Sequence, residues 1–261
     1  MNGGRGQAMA DREEAARPAV TVDRLLGGRV VLHQAAEGYR AAIDPVILAA
    51  AVPAGPGERA LDLGCGDGAA MLCLAARVPG LAVTGLERDP AAAARARAGA
   101  ADSGLADRVT VVEGSVDAPP AGLARMFDHV LANPPFHPSD HTGSPRAARA
   151  AANREAAEGL APWAAAAHAC LRPKGRLVLI HRADRLDRVL AALAPRFGSF
   201  AVLPLWPRAG RPAKRVVVIA RAGGRGPMSL LPGLVLHGDG ATFTGEARAV
   251  LADAAPLVAT P

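Results

Sequence analysis

Residues 59–68 read Arg-Ala-Leu-Asp-Leu-Gly-Cys-Gly-Asp-Gly, a short apolar run that leads into a glycine-rich loop. The apolar run is typical of a buried strand, and a helical run follows over about 69–78. Gly64, Gly66 and Gly68 lack a Cβ, so the backbone there can turn tightly and approach a ligand closely. A loop of this kind between a strand and a helix predicts a ligand site, because the first N–H groups of the helix face the loop.

The same alternation of short apolar runs and longer alanine-rich runs continues on both sides of this loop. It predicts strands at 59–63, 81–86, 108–113, 127–132, 174–181, 199–206 and 214–221. It predicts helices over about 39–51, 69–78, 90–103, 146–171 and 184–194, and a short strand and helix at 234–237 and 245–254. Alternating elements of this kind predict an α/β fold, a seven-stranded, mostly parallel sheet with helices on both faces. We therefore expect ligand-binding residues where the strands end.

The chain divides, by its breakers and its composition, into a tail and one domain. Residues 1–20 are expected to form a mobile N-terminal tail. Residues 21–261 are expected to form a single domain, with a cap segment (21–57), a catalytic core (58–221) and a C-terminal strand–helix extension (222–261).

Composition excludes several classes of protein. The 261 residues are 50% apolar, so the chain is not a disordered protein, and no apolar stretch is long enough for a transmembrane helix. The start of the chain lacks the apolar region of a secretory signal, and the three cysteines include no Cys-x-x-Cys pair. We therefore expect a cytoplasmic protein without a disulfide framework, a membrane partner or a structural zinc site. The net charge of +6 fits either simple solubility or a polyanionic partner.

Two carboxylates flank the glycine loop. Asp62 precedes it, and Glu87 ends the second strand, where a carboxylate can accept hydrogen bonds from both hydroxyls of a ribose. The Gly-x-Gly-x-Gly spacing differs from the Gly-x-Gly-x-x-Gly of dinucleotide sites, and a carboxylate there would repel a pyrophosphate. These electrostatics favour the cationic, phosphate-free cofactor S-adenosylmethionine over NAD. Cys65 lies within the cofactor loop, without a neighbouring base, and is interpreted as a small filler of space rather than a nucleophile.

The fourth strand ends in Asn133-Pro134-Pro135-Phe136. The prolines fix two φ angles and remove two N–H donors, so the turn presents carbonyl groups without competing donors. The Asn133 side chain and the Pro134 backbone can together accept both hydrogens of a planar amino group. That arrangement would orient the nitrogen lone pair and stabilise the charge that develops on it. Phe136 can stack on the base that carries the amine.

At these residues the chain resembles the class I S-adenosylmethionine-dependent methyltransferases, in the branch that acts on amino groups. Within that branch it is similar to the bacterial tRNA(Val) adenine-N6 methyltransferases, and the resemblance extends over nearly the whole chain after the tail. It implies a Rossmann-like class I fold, and transfer of a methyl group to N6 of an adenine next to the anticodon of tRNA(Val).

The resemblance also assigns further cofactor residues. Residues 42–50 occupy the place of a family segment that lies near the cofactor and the target base. The resemblance therefore implies that Asp44, within this segment, binds the cofactor. The resemblance also implies that Asn133 binds the cofactor, in addition to its role at the acceptor amino group. Ser115 occupies the position after the third strand where relatives often place an aspartate for the adenine amino group. Asp117 lies two residues further on and is expected to substitute for that aspartate.

Basic residues follow the catalytic loop and the sixth strand. These candidates for contact with RNA phosphates are Arg146, Arg149, Arg208, Arg211, Lys214 and Arg215. His137 and His141 lie in a loop segment without an evident third ligand, so no metal is expected.

Four alternatives to methylation of tRNA remain open. The first is methylation of guanine N2 in rRNA, because that family also uses Asn-Pro-Pro-Phe-His, although it usually carries a second domain. The second is methylation of a glutamine amide in a protein. The third is a non-catalytic RNA-binding factor that keeps the fold, and the fourth is an NAD-linked oxidoreductase, which the spacing of the glycines and Asp62 oppose.

Overall fold

A computed structural model describes residues 20–36, 43–135 and 159–257. Its strands, numbered along the chain, are β1 (Val20–Leu25), β2 (Val30–Ala35), β3 (Arg59–Leu63), β4 (Ala82–Glu87), β5 (Val109–Glu113), β6 (Phe127–Ala132), β7 (Leu171–Arg182), β8 (Phe197–Arg208), β9 (Arg215–Ala222), β10 (Ser229–Leu230) and β11 (Leu234–His237). Its α-helices are α1 (Asp44–Ala51), α2 (Ala69–Arg77), α3 (Pro90–Asp102), α4 (Ala161–Cys170), α5 (Leu186–Leu193) and α6 (Gly245–Leu251).

The central sheet has the strand order β10-β8-β9-β7-β6-β3-β4-β5, with β11 paired to β8 as well. Within the seven-stranded core, from β8 to β5, all neighbouring pairs are parallel except those that involve β9, which is antiparallel to both β7 and β8. The predicted α/β class and the mostly parallel, seven-stranded core are therefore confirmed. The short strands β10 and β11 widen the sheet to nine strands.

Two apolar layers cover the faces of this sheet. On one face, residues of α1, α2, α3 and α6 pack against alternate residues of the strands, among them Leu72 and Ala96. On the other face α4 and α5 do so, through residues such as Ala164 and Val189. Because parallel strands are buried on both sides, their sequences are continuously apolar, which is why the core could be predicted from short runs of Val, Leu and Ile.

The N-terminal hairpin of β1 and β2 was not among the predicted elements. It lies against the end of α3, where the Val31 N–H donates to Ser103 Oγ at 2.8 Å and His33 Nε2 lies 2.8 Å from Asp102 Oδ2. A Cβ at Gly99 would lie 2.9 Å from the Val31 carbonyl oxygen, so the hairpin can approach α3 only over a glycine. The hairpin therefore belongs to the packed structure rather than to a tail.

The helix predicted over 39–51 begins at Asp44, and that predicted over 146–171 is described as α4 from Ala161 onward. Near the C-terminus, Thr244 precedes α6 and caps it, because its Oγ1 accepts the Ala247 N–H at 3.1 Å. Within the described ranges, none of the helices combines the length and the apolar character needed to cross a membrane.

Candidate functional site

Four parallel strands bring their carboxyl ends together at one edge of the sheet. Leu63 of β3 is paired with Leu86 of β4 on one side and with Ala132 of β6 on the other. Glu87 is paired with Glu113 of β5. The residues that follow each strand therefore lie side by side, about 4.8 Å from one strand to the next. This places Asn133 beside Gly64, with Glu87 and Ser115 following in order across the edge.

The glycine loop depends on backbone conformations that favour glycine. Gly64, Gly66 and Gly68 have φ angles of +62°, +55° and +90°. The turn is closed by a hydrogen bond from the Gly68 N–H to the Cys65 carbonyl at 2.9 Å. A Cβ at Gly68 would lie 2.8 Å from Met71 Cε, whereas at Gly66 it would meet nothing within 4 Å. The loop is therefore packed on its protein side and open at Gly66.

Glu87 braces the loop. Its Oε2 accepts the Gly66 N–H at 2.8 Å, and its Oε1 accepts the Asp89 N–H at 2.8 Å. Each carboxylate oxygen has a second lone pair that these bonds do not use. Glu87 can thus hold the loop and still accept a hydrogen bond from a ligand hydroxyl.

Asp62 is buried beneath the loop, with 2% of its surface exposed. Its Oδ2 accepts the Met71 N–H at 3.1 Å. The pKa of Asp62 is raised to about 8: burial is the main cause, the hydrogen bond from the Met71 N–H opposes the shift, and the neighbouring charge of Glu87 adds to it. An acid with a pKa near 8 is mostly protonated at pH 7, and a cation that binds beside it would favour loss of that proton.

An arginine on α3 fixes the middle of the loop. Arg95 Nε donates to Asp67 Oδ1 at 2.8 Å, and both side chains are mostly buried. This pair was not among the residues predicted from the sequence. The sequence gives little indication of this contact, because the two residues are 28 positions apart and each is of a type that usually lies exposed to solvent.

Ser115 and Asp117 form a small turn after β5. The Ser115 hydroxyl lies 3.2 Å from Asp117 Oδ2, and it also accepts the Asp117 N–H at 3.2 Å. The carboxylate of Asp117 is therefore held next to the serine, at the edge of the sheet where the resemblance expects an acidic residue.

The turn that follows β6 begins inside the protein and leads to its surface. Asn133 is half-buried with its Oδ1 fully buried, Pro134 is buried and Pro135 is exposed. Phe136, the last residue of the predicted catalytic set, lies outside the described residues. Arg146, Arg149, His137 and His141 also lie outside them, so their predicted roles stay predictions.

Trp163 is a residue of this edge that the sequence analysis missed. A Cβ built at Gly64 would lie 2.6 Å from Trp163 Cη2, so the indole of α4 covers the first glycine of the loop. Aromatic residues make up only 3% of the chain, which is the signal that could have drawn attention to it. His181 is the last residue but one of β7 and lies two positions beyond Leu179, the partner of Ala132. It is buried, and burial lowers the pKa of His181 to about 4.

Asp44 and Arg215 were predicted to contact the cofactor and RNA, respectively. In the structure, Arg215 Nε donates to Asp44 Oδ2 at 2.8 Å, so the two side chains form an ion pair. Arg215 starts β9, three strands from β3 in the sheet and therefore about 14 Å from the glycine loop. The pair joins the start of α1 to β9, and the predicted contacts of Asp44 with the cofactor and of Arg215 with RNA stay predictions.

The other three described RNA candidates, Arg208, Arg211 and Lys214, are exposed and border a cavity of about 480 Å³ between β8 and β9. Within the described residues, no group of three or more His, Cys, Asp or Glu side chains is arranged to hold a metal ion.

Comparisons with known proteins agree with this architecture. The family model for the methyltransferase small domain matches residues 43–203. A protein of Porphyromonas gingivalis named tRNA1(Val) (adenine(37)-N6)-methyltransferase is 36% identical over 165 residues, which are 60% of this chain and 64% of that protein. An Aeromonas hydrophila protein of the same name is 29% identical over 204 residues, 77% of this chain and 84% of that protein. The chain thus spans less than two thirds of the P. gingivalis protein, and 51% of its counterpart from a second strain.

Two solved structures extend the comparison. A protein of Agrobacterium tumefaciens described as a predicted O-methyltransferase has a TM-score of 0.67 and 29% identity, covering 79% of this chain and 94% of that one. A 16S rRNA N2 methyltransferase of T. thermophilus, in complex with AdoMet and guanosine, has a TM-score of 0.55 and 24% identity, covering 78% of this chain and 50% of that one. The second likeness concerns the fold alone.

Proposed function

Because the chain belongs to the methyltransferase small domain family, we propose that it uses S-adenosylmethionine to methylate the N6 amino group of an adenine in tRNA. The observation that carries this proposal is the register of β3 and β6, which sets Asn133 beside the first glycine of the loop. A donor site and an acceptor site for a small group thereby share one edge of the sheet.

The residues around the loop fit this cofactor. An open approach at Gly66, a buried acid at Asp62 and the carboxylates of Glu87 and Asp117 suit a ligand with two positive charges, a ribose and no phosphate. The carboxylates of Glu87 and Asp117 would disfavour a pyrophosphate. When bound, the cofactor supplies a methyl group made electrophilic by a positively charged sulfur.

The turn after β6 supplies the acceptor side. The Asn133 side-chain oxygen and the Pro134 carbonyl would accept the two hydrogens of the amino group and aim its lone pair at the glycine loop. Because the prolines fix the turn, these dipoles need no rearrangement as charge develops on the nitrogen. Positioning of the two reactants accounts for the remainder of the acceleration, and no strongly basic side chain is required.

The substrate is proposed from the relatives and from chemistry. The two curated relatives reported above are named for adenine 37 of tRNA1(Val). An adenine in a folded RNA must leave its stack before its amino group can reach a site of this kind. The net charge of +6 is compatible with a polyanionic partner. We place the enzyme in the cytoplasm, where its proposed substrate is found.

Replacement of Asn133 by alanine tests this proposal. The variant loses one of the two acceptors, so turnover should fall about 100- to 1000-fold, as it does when one preorganised dipole is removed from an active site. Affinity for S-adenosylmethionine, measured by calorimetry, should change little. Asn133→Asp is the matched variant, because it keeps an acceptor oxygen and should retain more activity than Asn133→Ala.

The alternatives predict different results. Full turnover of RNA by Asn133→Ala would contradict the acceptor role. A wild-type protein that binds RNA but not S-adenosylmethionine would be a non-catalytic factor. Methyl transfer to a protein amide, insensitive to salt, would indicate the glutamine-directed activity.

A further inference from the structure

The connection between β8 and β9 borders a basic cavity. The cavity of about 480 Å³, which we call the 207–214 groove, is lined by Pro207, Arg208, Arg211, Pro212, Ala213 and Lys214. Two backbone bonds close the connection: Arg211 N–H to the Arg208 carbonyl at 3.2 Å, and Lys214 N–H to the Leu205 carbonyl at 3.3 Å. The two prolines further restrict the backbone. The groove is therefore a shaped surface rather than a random cluster of side chains.

The charge of this groove is entirely positive. Three of its six lining residues are cations and none is an acid. Elsewhere, arginines form ion pairs with acids, as in Arg97–Glu113, Arg172–Asp128 and Arg182–Asp184. Within the part of the chain that the structure describes, the side chains of Arg208, Arg211 and Lys214 make no such bond. Like charges gathered without an acid repel one another, so the groove offers a favourable site to an anion.

The groove lies on the same side of the sheet as the candidate active site. β9 is antiparallel to both β7 and β8, and β7 is parallel to β6, so β8 runs in the same direction as β6. Arg208, at the carboxyl end of β8, therefore lies on the same side of the sheet as Asn133, which follows the carboxyl end of β6. In the strand order, β8 is three positions from β6 and β9 is two. At about 4.8 Å per strand, the groove is offset from Asn133 by roughly 10–14 Å across the sheet, and the register places Arg208 five residues, about 16 Å, further along the strand direction, so the separation is about 20 Å. A polyanionic chain whose nucleotide enters the site at Asn133 would pass within reach of the groove.

We propose that the 207–214 groove binds the phosphate backbone of the RNA substrate within a few nucleotides of the extruded adenine. This assignment rests on the proposed function. The planar guanidinium groups of Arg208 and Arg211 match the geometry of phosphate oxygens and bind them bidentately. Lys214 adds a compact third charge. The groove reads no base and fixes the position of the RNA relative to the site.

A pair of matched double variants tests this proposal. Arg208→Ala/Arg211→Ala removes two charges from the groove. Arg221→Ala/Arg225→Ala removes two exposed arginines at the opposite, amino-terminal edge of the sheet, near the end of β9. The two variants change the net charge equally, so any difference between them comes from location.

The measurement is affinity for tRNA by fluorescence anisotropy over a series of salt concentrations. For two lost phosphate contacts, the groove variant should bind about 10- to 30-fold more weakly at 0.1 M salt, and its log–log salt slope should fall by about 1.4. The variant at the opposite edge should resemble the wild type. Equal losses in both variants, or no loss in either, would overturn the proposal.

Two further readouts separate this proposal from the proposed function. At saturating tRNA the groove variant should keep the turnover number of the wild type, with the loss confined to KM. If the wild type proves inactive on tRNA, the anisotropy comparison still decides whether the groove binds RNA. Inorganic phosphate is the probe for a small-anion site: phosphate binding that the groove variant abolishes, together with an unchanged affinity of that variant for tRNA, would show a free-phosphate site and overturn RNA as its occupant.

Discussion

Replacement of Gly66 by alanine separates a binding role of the glycine loop from a purely structural one. The φ angle of Gly66 is +55°, and a Cβ there would meet no protein atom within 4 Å. Gly104, in the turn after α3, has a φ angle of +66° and equally open surroundings. Alanine at either position must adopt the same left-handed conformation. Each variant should therefore lose about 1–2 kcal/mol of stability, the cost of that conformation for a residue with a Cβ.

The two variants should differ in cofactor binding. At Gly66 the added methyl occupies the open side of the loop, where the proposed cofactor approaches. Overpacking of one methyl group costs about 1–3 kcal/mol, which corresponds to roughly 5- to 150-fold weaker binding. Gly104→Ala should bind S-adenosylmethionine as the wild type does. Urea denaturation measures the stability of both variants, and isothermal titration calorimetry measures the binding. Equal affinities for S-adenosylmethionine in the two variants would refute the assignment of this loop to the cofactor.

The titratable groups give two further predictions. The pKa of Asp62 is raised to about 8 by burial, so its carboxyl is protonated at pH 7, and binding of a cationic cofactor beside it should release up to one proton. Calorimetry at pH 7 in buffers of different ionisation enthalpy should detect this proton. The Asp62→Asn variant should not release it. Proton release that this substitution leaves unchanged would show that Asp62 is not its source. The pKa of His181 is lowered to about 4 by burial, so the native state binds fewer protons than the unfolded state, whose histidine has the usual pKa of 6.5. The free energy of unfolding should therefore fall by about 3 kcal/mol as the pH drops from 6.5 to 4, and His181→Phe should flatten that part of the curve measured by urea denaturation; an equally steep fall in the variant would refute it.

The core of the fold was accessible from the sequence because its strands are buried on both faces. The runs at 59–63 and 127–132 coincide with β3 and β6, and the glycine loop and Asn133 follow them as expected. Local pattern was sufficient there, since burial on both sides demands continuous apolar residues and the turns demand glycine or proline.

Contacts between distant parts of the chain were not accessible in this way. Asp44 and Arg215 are 171 positions apart, and each alone reads as a candidate for ligand binding. Only the fold brings them together. The contact of Trp163 with Gly64 has the same origin. The hairpin of β1 and β2 was missed because Asp23 and Arg24 interrupt the apolar pattern of β1.

Identification of the nucleoside that the protein makes tests the central claim most directly. Unmodified tRNA(Val) should be incubated with the wild-type protein and S-adenosylmethionine, digested to nucleosides and examined by mass spectrometry. We expect N6-methyladenosine, mapped to the adenine beside the anticodon, and little of it when Asn133→Ala replaces the wild type. Methylation of guanine N2 in its place, or no methylated nucleoside from a protein that binds the cofactor and the tRNA, would contradict the account.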